Sequence, residues 1–190
     1  FNQDFTFEIY YRNEDDSARE IMFQNNDENI VTYNNVNIER SISYGLDFVT
    51  YTQIANNWNL SAVTSLFYYE NQFFNFETNN QLEVNEMWSF YAQIANYFTF
   101  LKDNSLTANI SYLFISPIVE NGVSEISSRS GLDISLRKTF WDNRASLSIG
   151  ITDMFNNQNF SQKTKYLNQD ILVNSNMENR LFTIGFNYKF

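Results

Sequence analysis

Polar and apolar residues take turns along most of this chain. In "SISYGLDF", Ile42, Tyr44, Leu46 and Phe48 alternate with Ser41, Ser43, Gly45 and Asp47. That two-residue period marks a β-strand with one apolar face. Phe5, Phe7, Ile9 and Tyr11 open the chain in the same way, and Trp58, Leu60, Ala62, Thr64, Leu66 and Tyr68 repeat it. Trp88, Phe90, Ala92, Ile94, Phe98 and Phe100 form a further run, interrupted at Asn96. Leu106, Ala108, Ile110, Tyr112 and Phe114 come next, then Leu132, Ile134, Leu136 and Phe140 with Lys138 among them. Ala145, Leu147, Ile149 and Ile151 precede the closing run Phe182, Ile184, Phe186, Tyr188 and Phe190. The pattern predicts about eight strands, most of them near the roughly 9–11 residues of a tilted membrane strand.

Two kinds of connection alternate between these runs. "ANN" (55–57), "KDN" (102–104) and "WDNR" (141–144) are tight turns rich in Asn and Asp, which tolerate left-handed backbone. Residues 13–37, 70–86, 115–127 and 154–179 are long polar excursions, expected as loops. Short turns on one rim and long loops on the other is the layout of an outer-membrane barrel, with the short rim in the periplasm. Both Phe1 and Phe190 then belong to the periplasmic side. Phe5, Trp58, Phe98, Phe100, Phe140, Tyr188 and Phe190 fall at the short-turn ends, and Tyr11, Tyr68, Trp88, Tyr112 and Phe114 toward the loop ends. Two aromatic girdles around a band of Leu, Ile and Ala is what membrane interfaces select, and the girdle residues are taken as Trp58, Trp88, Phe98, Phe100, Phe114 and Phe140. A soluble β-sandwich also alternates, but has no reason to keep its tight turns on one side.

Composition sharpens this picture. Mean hydropathy is −0.41, and no apolar run approaches the roughly 20 residues of a membrane helix. Aromatics nevertheless make up 18% of the 190 residues, with 19 Phe and 12 Tyr. Polar on average yet rich in aromatics fits a wall with one oily and one wet face. One proline, Pro117, and no Gly/Ser-rich linker leave 1–190 as one architectural unit. The net charge of −10 argues against a nucleic-acid partner. Without cysteine or histidine there is no thiol nucleophile, no disulfide and no imidazole base. The chain begins at Phe1 without Met or signal peptide, so it is expected to be processed, trimmed or the back part of something longer.

The face opposite the apolar rows is thin. Ser41, Ser43, Gly45, Ser61, Ser65, Ser105, Thr107, Ser111, Gly131, Ser135, Ser146, Ser148, Gly150, Thr183 and Gly185 all point that way. Tyr10, Tyr51, Phe67, Tyr69, Tyr91 and Tyr97 add bulk, and Glu8, Arg12, Asp47, Asp133, Arg137 and Lys189 could form ion networks. A small eight-stranded barrel must fill its interior with side chains, so this wall suits a wider barrel facing water or a plug.

Several stretches resemble one family. "GLDISLRKTFWDNRASLSIGITDMFNNQNF" resembles the penultimate hairpin of TonB-dependent outer-membrane receptors: an aliphatic strand, a Lys-plus-aromatic turn, a second aliphatic strand and an Asp-aliphatic-Phe-Asn corner. Here the corner is Asp153, Met154, Phe155 and Asn156. "YGLDFVTYTQIANNWNLSAVTSLFYY", "FTFLKDNSLTANISYLFISPIVENG" and "IGFNYKF" resemble earlier hairpins and the last strand of those barrels. The resemblance implies an all-β, transmembrane, antiparallel up-and-down barrel, these strands forming the C-terminal arc of about 22 strands around an N-terminal plug. Uptake of a nutrient or siderophore-type substrate is implied with it. Plug, TonB box and earlier strands are not among these residues, so the partners implied are outer-membrane lipid, the rest of the barrel with its plug, the barrel-assembly machinery, and TonB-type coupling through the absent parts. In the resemblance, Phe182, Ile184, Phe186, Tyr188 and Phe190 are the assembly signal at the C-terminus. The alternative is a complete small eight-stranded barrel with a structural or adhesive role.

Other candidate sites are weaker. "RNEDDSARE" (12–20) and "NNDEN" (25–29) are acidic and could hold Ca²⁺, but fit no EF-hand spacing and read as solvated loops. "FFNFE" (73–77) is expected to pack against a neighbouring loop. Asp153, Phe155 and Asn156 are read as a strand-to-loop corner, with Asp153 accepting backbone N–H groups. Asp15 and Asp16 are adjacent in a polar stretch, poor geometry for acid/base work, so no enzyme activity and no cofactor are expected.

Overall fold

A computed structural model of the chain describes residues 3–75, 81–166 and 169–190. Among them there are strands, turns and bends and no helix. The strands are β1 (Gln3–Asn25), β2 (Ile30–Ala55), β3 (Trp58–Asn75), β4 (Gln81–Phe100), β5 (Leu106–Ile115), β6 (Ile118–Glu120), β7 (Ser124–Ile126), β8 (Arg129–Phe140), β9 (Ala145–Thr152), β10 (Phe160–Tyr166), β11 (Gln169–Ser175) and β12 (Leu181–Tyr188). Eight of them form one antiparallel sheet in the order β1-β2-β3-β4-β5-β8-β9-β12. This wall is an up-and-down meander, as the alternating runs predict. It is not closed into a barrel: β1 and β12 are its two edges and do not pair with each other.

The tight turns lie together on one rim. Asn104, Asp142 and Asn143 adopt φ of 54°, 54° and 67°, so the Asn and Asp residues supply the left-handed backbone these turns need. Leu101 and Trp141 also take positive φ, 69° and 52°. For such bulky residues that is uncommon, and each sits at the first position of its turn.

On the other rim the expected loops are corrected. Residues 13–37 are not a loop but continue the β1–β2 ladder out to Asn25 opposite Ile30, leaving a turn at 26–29. From Tyr44 to Ile30 the strand runs roughly 45 Å, at about 3.3 Å per residue. Within 70–86 the β3–β4 ladder likewise continues to Asn75 opposite Gln81. The acidic "RNEDDSARE" therefore lies in a strand, where Glu14 bonds Arg19 at 2.8 Å. Sequence alone favoured loops there because polar residues on both faces erase the two-residue signal.

Burial also changes parity along that hairpin. In β1 the shielded residues are even below Asp16, such as Tyr10 and Glu14, and odd above it: Ser17, Arg19, Ile21 and Phe23. β2 switches between Ser41 and Ile38. Register is kept throughout, with Asp15 opposite Arg40 and Ser17 opposite Ile38. Asp16 has φ 52°, and one left-handed residue is enough to turn the following side chains over.

Residues 115–127 and 154–179, also expected as loops, carry a second sheet, ordered β11-β10-β7-β6. We call it the cap. It packs on the inward side of the wall at the loop rim, where Val123 joins Ile21, Ile38 and Phe73 in a buried cluster. Phe73 belongs to "FFNFE"; Phe76 and Glu77 of that motif lie outside the described residues, as does Phe1.

Candidate functional site

The largest chemical feature is the outward face of the wall, and the register shows how it arises. Residues opposite one another in a ladder share a face, so cross-strand rows extend the pattern of single strands. One row runs Ile9, Leu46, Leu66, Phe90. Another runs Ile110, Ile134, Ile151, Phe182, and a third Ala108, Leu136, Ile149, Ile184. Every apolar run read from the sequence falls on this one side. Its large side chains are not covered by the rest of the chain: Phe182 is 78% and Ile184 81% exposed. A shallow apolar groove of about 310 Å³ crosses it between Ile134, Leu136, Ile149, Ile151, Phe182 and Ile184. An exposed apolar surface this wide on a water-soluble protein would be an aggregation liability, and against acyl chains it is a match.

Aromatic side chains meet across strands at both ends of the band. At the short-turn end Trp58 stacks on Phe98 at 5.6 Å between ring centroids, Phe98 lies 6.1 Å from Phe100, and the Lys138 ammonium sits 5.9 Å from the Phe140 ring centre. Asn96, the interruption in the fourth run, accepts the Trp58 indole N–H at 3.0 Å, which explains a polar residue on the apolar face. At the loop end Phe114 lies 6.3 Å from Phe90, and Trp88 meets Tyr44 at 5.7 Å and Tyr68 at 5.4 Å. The Tyr68 hydroxyl reaches on to Glu86 at 2.5 Å and Glu70 at 3.1 Å, an aromatic body with a wet tip. Tyr44 and Trp141 are members that sequence reading left out of the girdles. Trp141 occupies a turn, where period carries no information, and packs edge-on against Tyr188 at 6.1 Å.

At the chain's end Lys189 N–H donates to the Arg144 carbonyl at 2.8 Å, extending the β9–β12 ladder past Tyr188. Phe190 packs on Tyr188 at 5.1 Å. Phe182, Ile184, Phe186 and Tyr188 pair with Ile151, Ile149, Leu147 and Ala145, all on the outward face.

The corner is built around Asp153, which is 1% exposed with φ 43°. Its two carboxylate oxygens accept the N–H groups of Asn157 and Gln158, each at 3.0 Å, and its carbonyl accepts Asn156 N–H at 2.8 Å. Its own N–H donates to Asp133 Oδ1 at 2.8 Å, a partner on β8 that sequence did not suggest. Gln158 then folds over Gly131, where any Cβ would overlap its amide. Phe155, by contrast, is exposed and outside this network. The arrangement closes backbone donors where the strand opens into the loop rim.

Among the described residues the inward charges make local contacts. Arg12 lies 3.9 Å from Glu14, Asp47 accepts the Ser65 hydroxyl at 2.5 Å, and Arg137 donates to the Ser146 hydroxyl at 3.3 Å. Among the described residues no group of three or more carboxylates could hold a metal ion.

In the short turn, Asp103 accepts the Ser105 hydroxyl at 2.7 Å and its N–H at 3.2 Å. Those bonds, the hydroxyl's above all, hold its carboxyl below the ordinary value of 3.8. Stability from this group is present above that value and is lost as pH falls through the lowered one. The advantage of the wild type over Asp103→Asn should therefore shrink as urea unfolding is repeated below about pH 4.

The profile of the outer membrane protein beta-barrel family matches residues 1–188. The chain belongs to that family. No curated protein and no solved structure matches it. For an outer membrane protein beta-barrel, the outward face is the lipid face and the two aromatic bands mark its interfaces with water. The site of this beta-barrel protein is thus a surface, spread over eight strands, with the cap and corner at its loop rim.

Proposed function

We propose that this chain is the C-terminal arc of a larger barrel, of about 22 strands, in a TonB-dependent-receptor-like outer-membrane protein that takes up a nutrient or siderophore-type substrate. The observation that carries the reading is the eight-stranded sheet with two edges that do not pair, over an inward face of Ser, Thr and Gly. Unpaired edges do not persist in a bilayer, so β1 and β12 need partner strands. An inward face this small leaves room for water or a plug rather than filling itself. The resemblance of residues 131–160 to the penultimate receptor hairpin supports the same assignment.

In this reading residues 1–190 form one segment of the barrel domain, and its short turns face the periplasm. Lipid and the barrel-assembly machinery are direct partners, with Phe182, Ile184, Phe186, Tyr188 and Phe190 as the strand that machinery recognises. Plug and TonB-type coupling reside in other parts of the protein. The segment has no catalytic role and needs no cofactor.

Imaging the protein isolated from outer membranes should show β1 and β12 each paired to a strand other than the other, in a barrel of about 22 strands. A direct β1–β12 ladder would replace this reading with a complete small barrel. In cells, deleting the protein should abolish energy-dependent accumulation of a substrate from a panel of ferric siderophores and nutrients. Unchanged accumulation across the panel would remove the uptake role.

A further inference from the structure

The cap meets the wall at a place where the packing is unusual. Its β6–β7 turn, Asn121 at φ 51° and Gly122 at φ 80°, is laid against the inward face of β2 and β3. A Cβ on Gly122 would come within 3.2 Å of Ile38 Cδ1 and 3.3 Å of Asn71 Cγ, so the turn rests on these two side chains. Ile38 is apolar and belongs to the buried cluster. Asn71 is polar, 0% exposed, and neither its amide nitrogen nor its amide oxygen has a hydrogen-bond partner.

A fully buried amide left unpaired loses its hydration without replacement, which makes this seat an unfavourable place for the hairpin to rest. The favourable contacts with the wall are few, while within the cap β7 pairs with β10 at three positions and the buried Ser124 and Thr164 hydroxyls lie 2.7 Å apart. Val123 is the cap's member of the buried cluster, while Ile21, Ile38 and Phe73 come from the wall. Polar ties add Asn85 Nδ2 to the Gly122 carbonyl at 2.9 Å and the Ser89 hydroxyl to the Pro117 carbonyl at 2.8 Å. β6 and β7 are three residues each and pair only within the cap, whereas the wall strands are joined by ladders of seven pairs or more. Segments with few apolar contacts and short ladders open well below the free energy of global unfolding.

We propose that the β6–β7 hairpin is a gate at the loop-side mouth, seated on Asn71 and lifted locally without unfolding of the wall. The buried amide holds the seated state shallow: when the hairpin lifts, Asn71 regains hydrogen bonds, and Ser41, Asn71 and Asn85, one cross-strand row, face the lumen. A leucine in place of Asn71 would deepen the seat. A side chain on Gly122 would prop the hairpin up, because it must meet Ile38 and Asn71 and adopt a φ that L-residues rarely take. The gate is independent of barrel size and of any substrate, so it stands or falls separately from the uptake reading.

Hydrogen exchange on the whole protein, isolated from outer membranes into detergent micelles, tests it at three positions of the equilibrium. In the wild type, amides of 118–126 should exchange at least about tenfold faster than those of 145–152 in the β9 ladder. Asn71→Leu should slow the first set about tenfold and leave the second unchanged. Gly122→Ala should speed the first set about tenfold, again without moving the second. Equal protection of both segments in the wild type overturns the proposal. So does a pair of variants that shift both segments together, or that leave 118–126 where it was.

Discussion

Ile149→Arg should destabilise the folded protein in lipid by about 2–4 kcal/mol, while Ser148→Arg should be tolerated. The two residues are neighbours in β9, and the difference lies only in where their side chains point. Ile149 stands in the row Leu136, Ile149, Ile184 on the outward face, with nothing of the chain above it. A guanidinium there must enter hydrocarbon or distort the bilayer to reach water. Ser148 lies opposite Arg137 on β8 and Gly185 on β12, on the wet side, where one more cation meets solvent. Ile134→Arg and Ser135→Arg form a second pair one strand away and should behave alike. Urea unfolding of the whole barrel protein in lipid vesicles measures all four. Equal losses on both faces would show that the apolar rows do not face lipid.

The second large effect is expected at the corner. Asp153→Ala removes the acceptor for two backbone N–H groups and places a residue ill-suited to positive φ at 43°. Bonds to a charged acceptor are worth about 1.5–3 kcal/mol each, partly offset because Asn157 and Gln158 can turn toward water. A net loss of about 2–4 kcal/mol is expected, with Asp153→Asn near half of that, since Asn keeps one acceptor and tolerates left-handed backbone. Amide exchange at Asn157 and Gln158 should rise in both variants. A variant with wild-type stability and unchanged exchange at these two amides would show that the corner is held by the Asp133 contact and the turn alone.

The two sites differ in how readable they were. The run of the lipid face was legible, because a wall between hydrocarbon and water imposes one rule on every strand. Each residue faces one solvent or the other, and the alternation is written locally in Ile42 to Phe48 as plainly as in Phe182 to Phe190. Interruptions such as Asn96 and Lys138 needed coordinates, since their reasons are partners on other strands: the Trp58 indole for one, Ser105 and the Phe140 ring for the other. At the corner, the sequence Asp-Met-Phe-Asn indicated a turn, but Asp133 and the Gln158 amide over Gly131 come from contacts 20 or more residues apart.

The sequence by itself determined the all-β class, the apolar face, the tight-turn rim and the aromatic bands. All of these follow from the environment of single residues and from a period of two. Tertiary structure alone decided that residues 13–37 continue as a hairpin, that side chains turn over at Asp16, and that two distant excursions pair into one cap. It also decided that β1 and β12 remain edges. Outside the bilayer no bulk hydrocarbon sorts the side chains, so polar residues face either way, and which ones are buried depends on the pairing of β7 with β10, fixed by long-range contacts that no local pattern records.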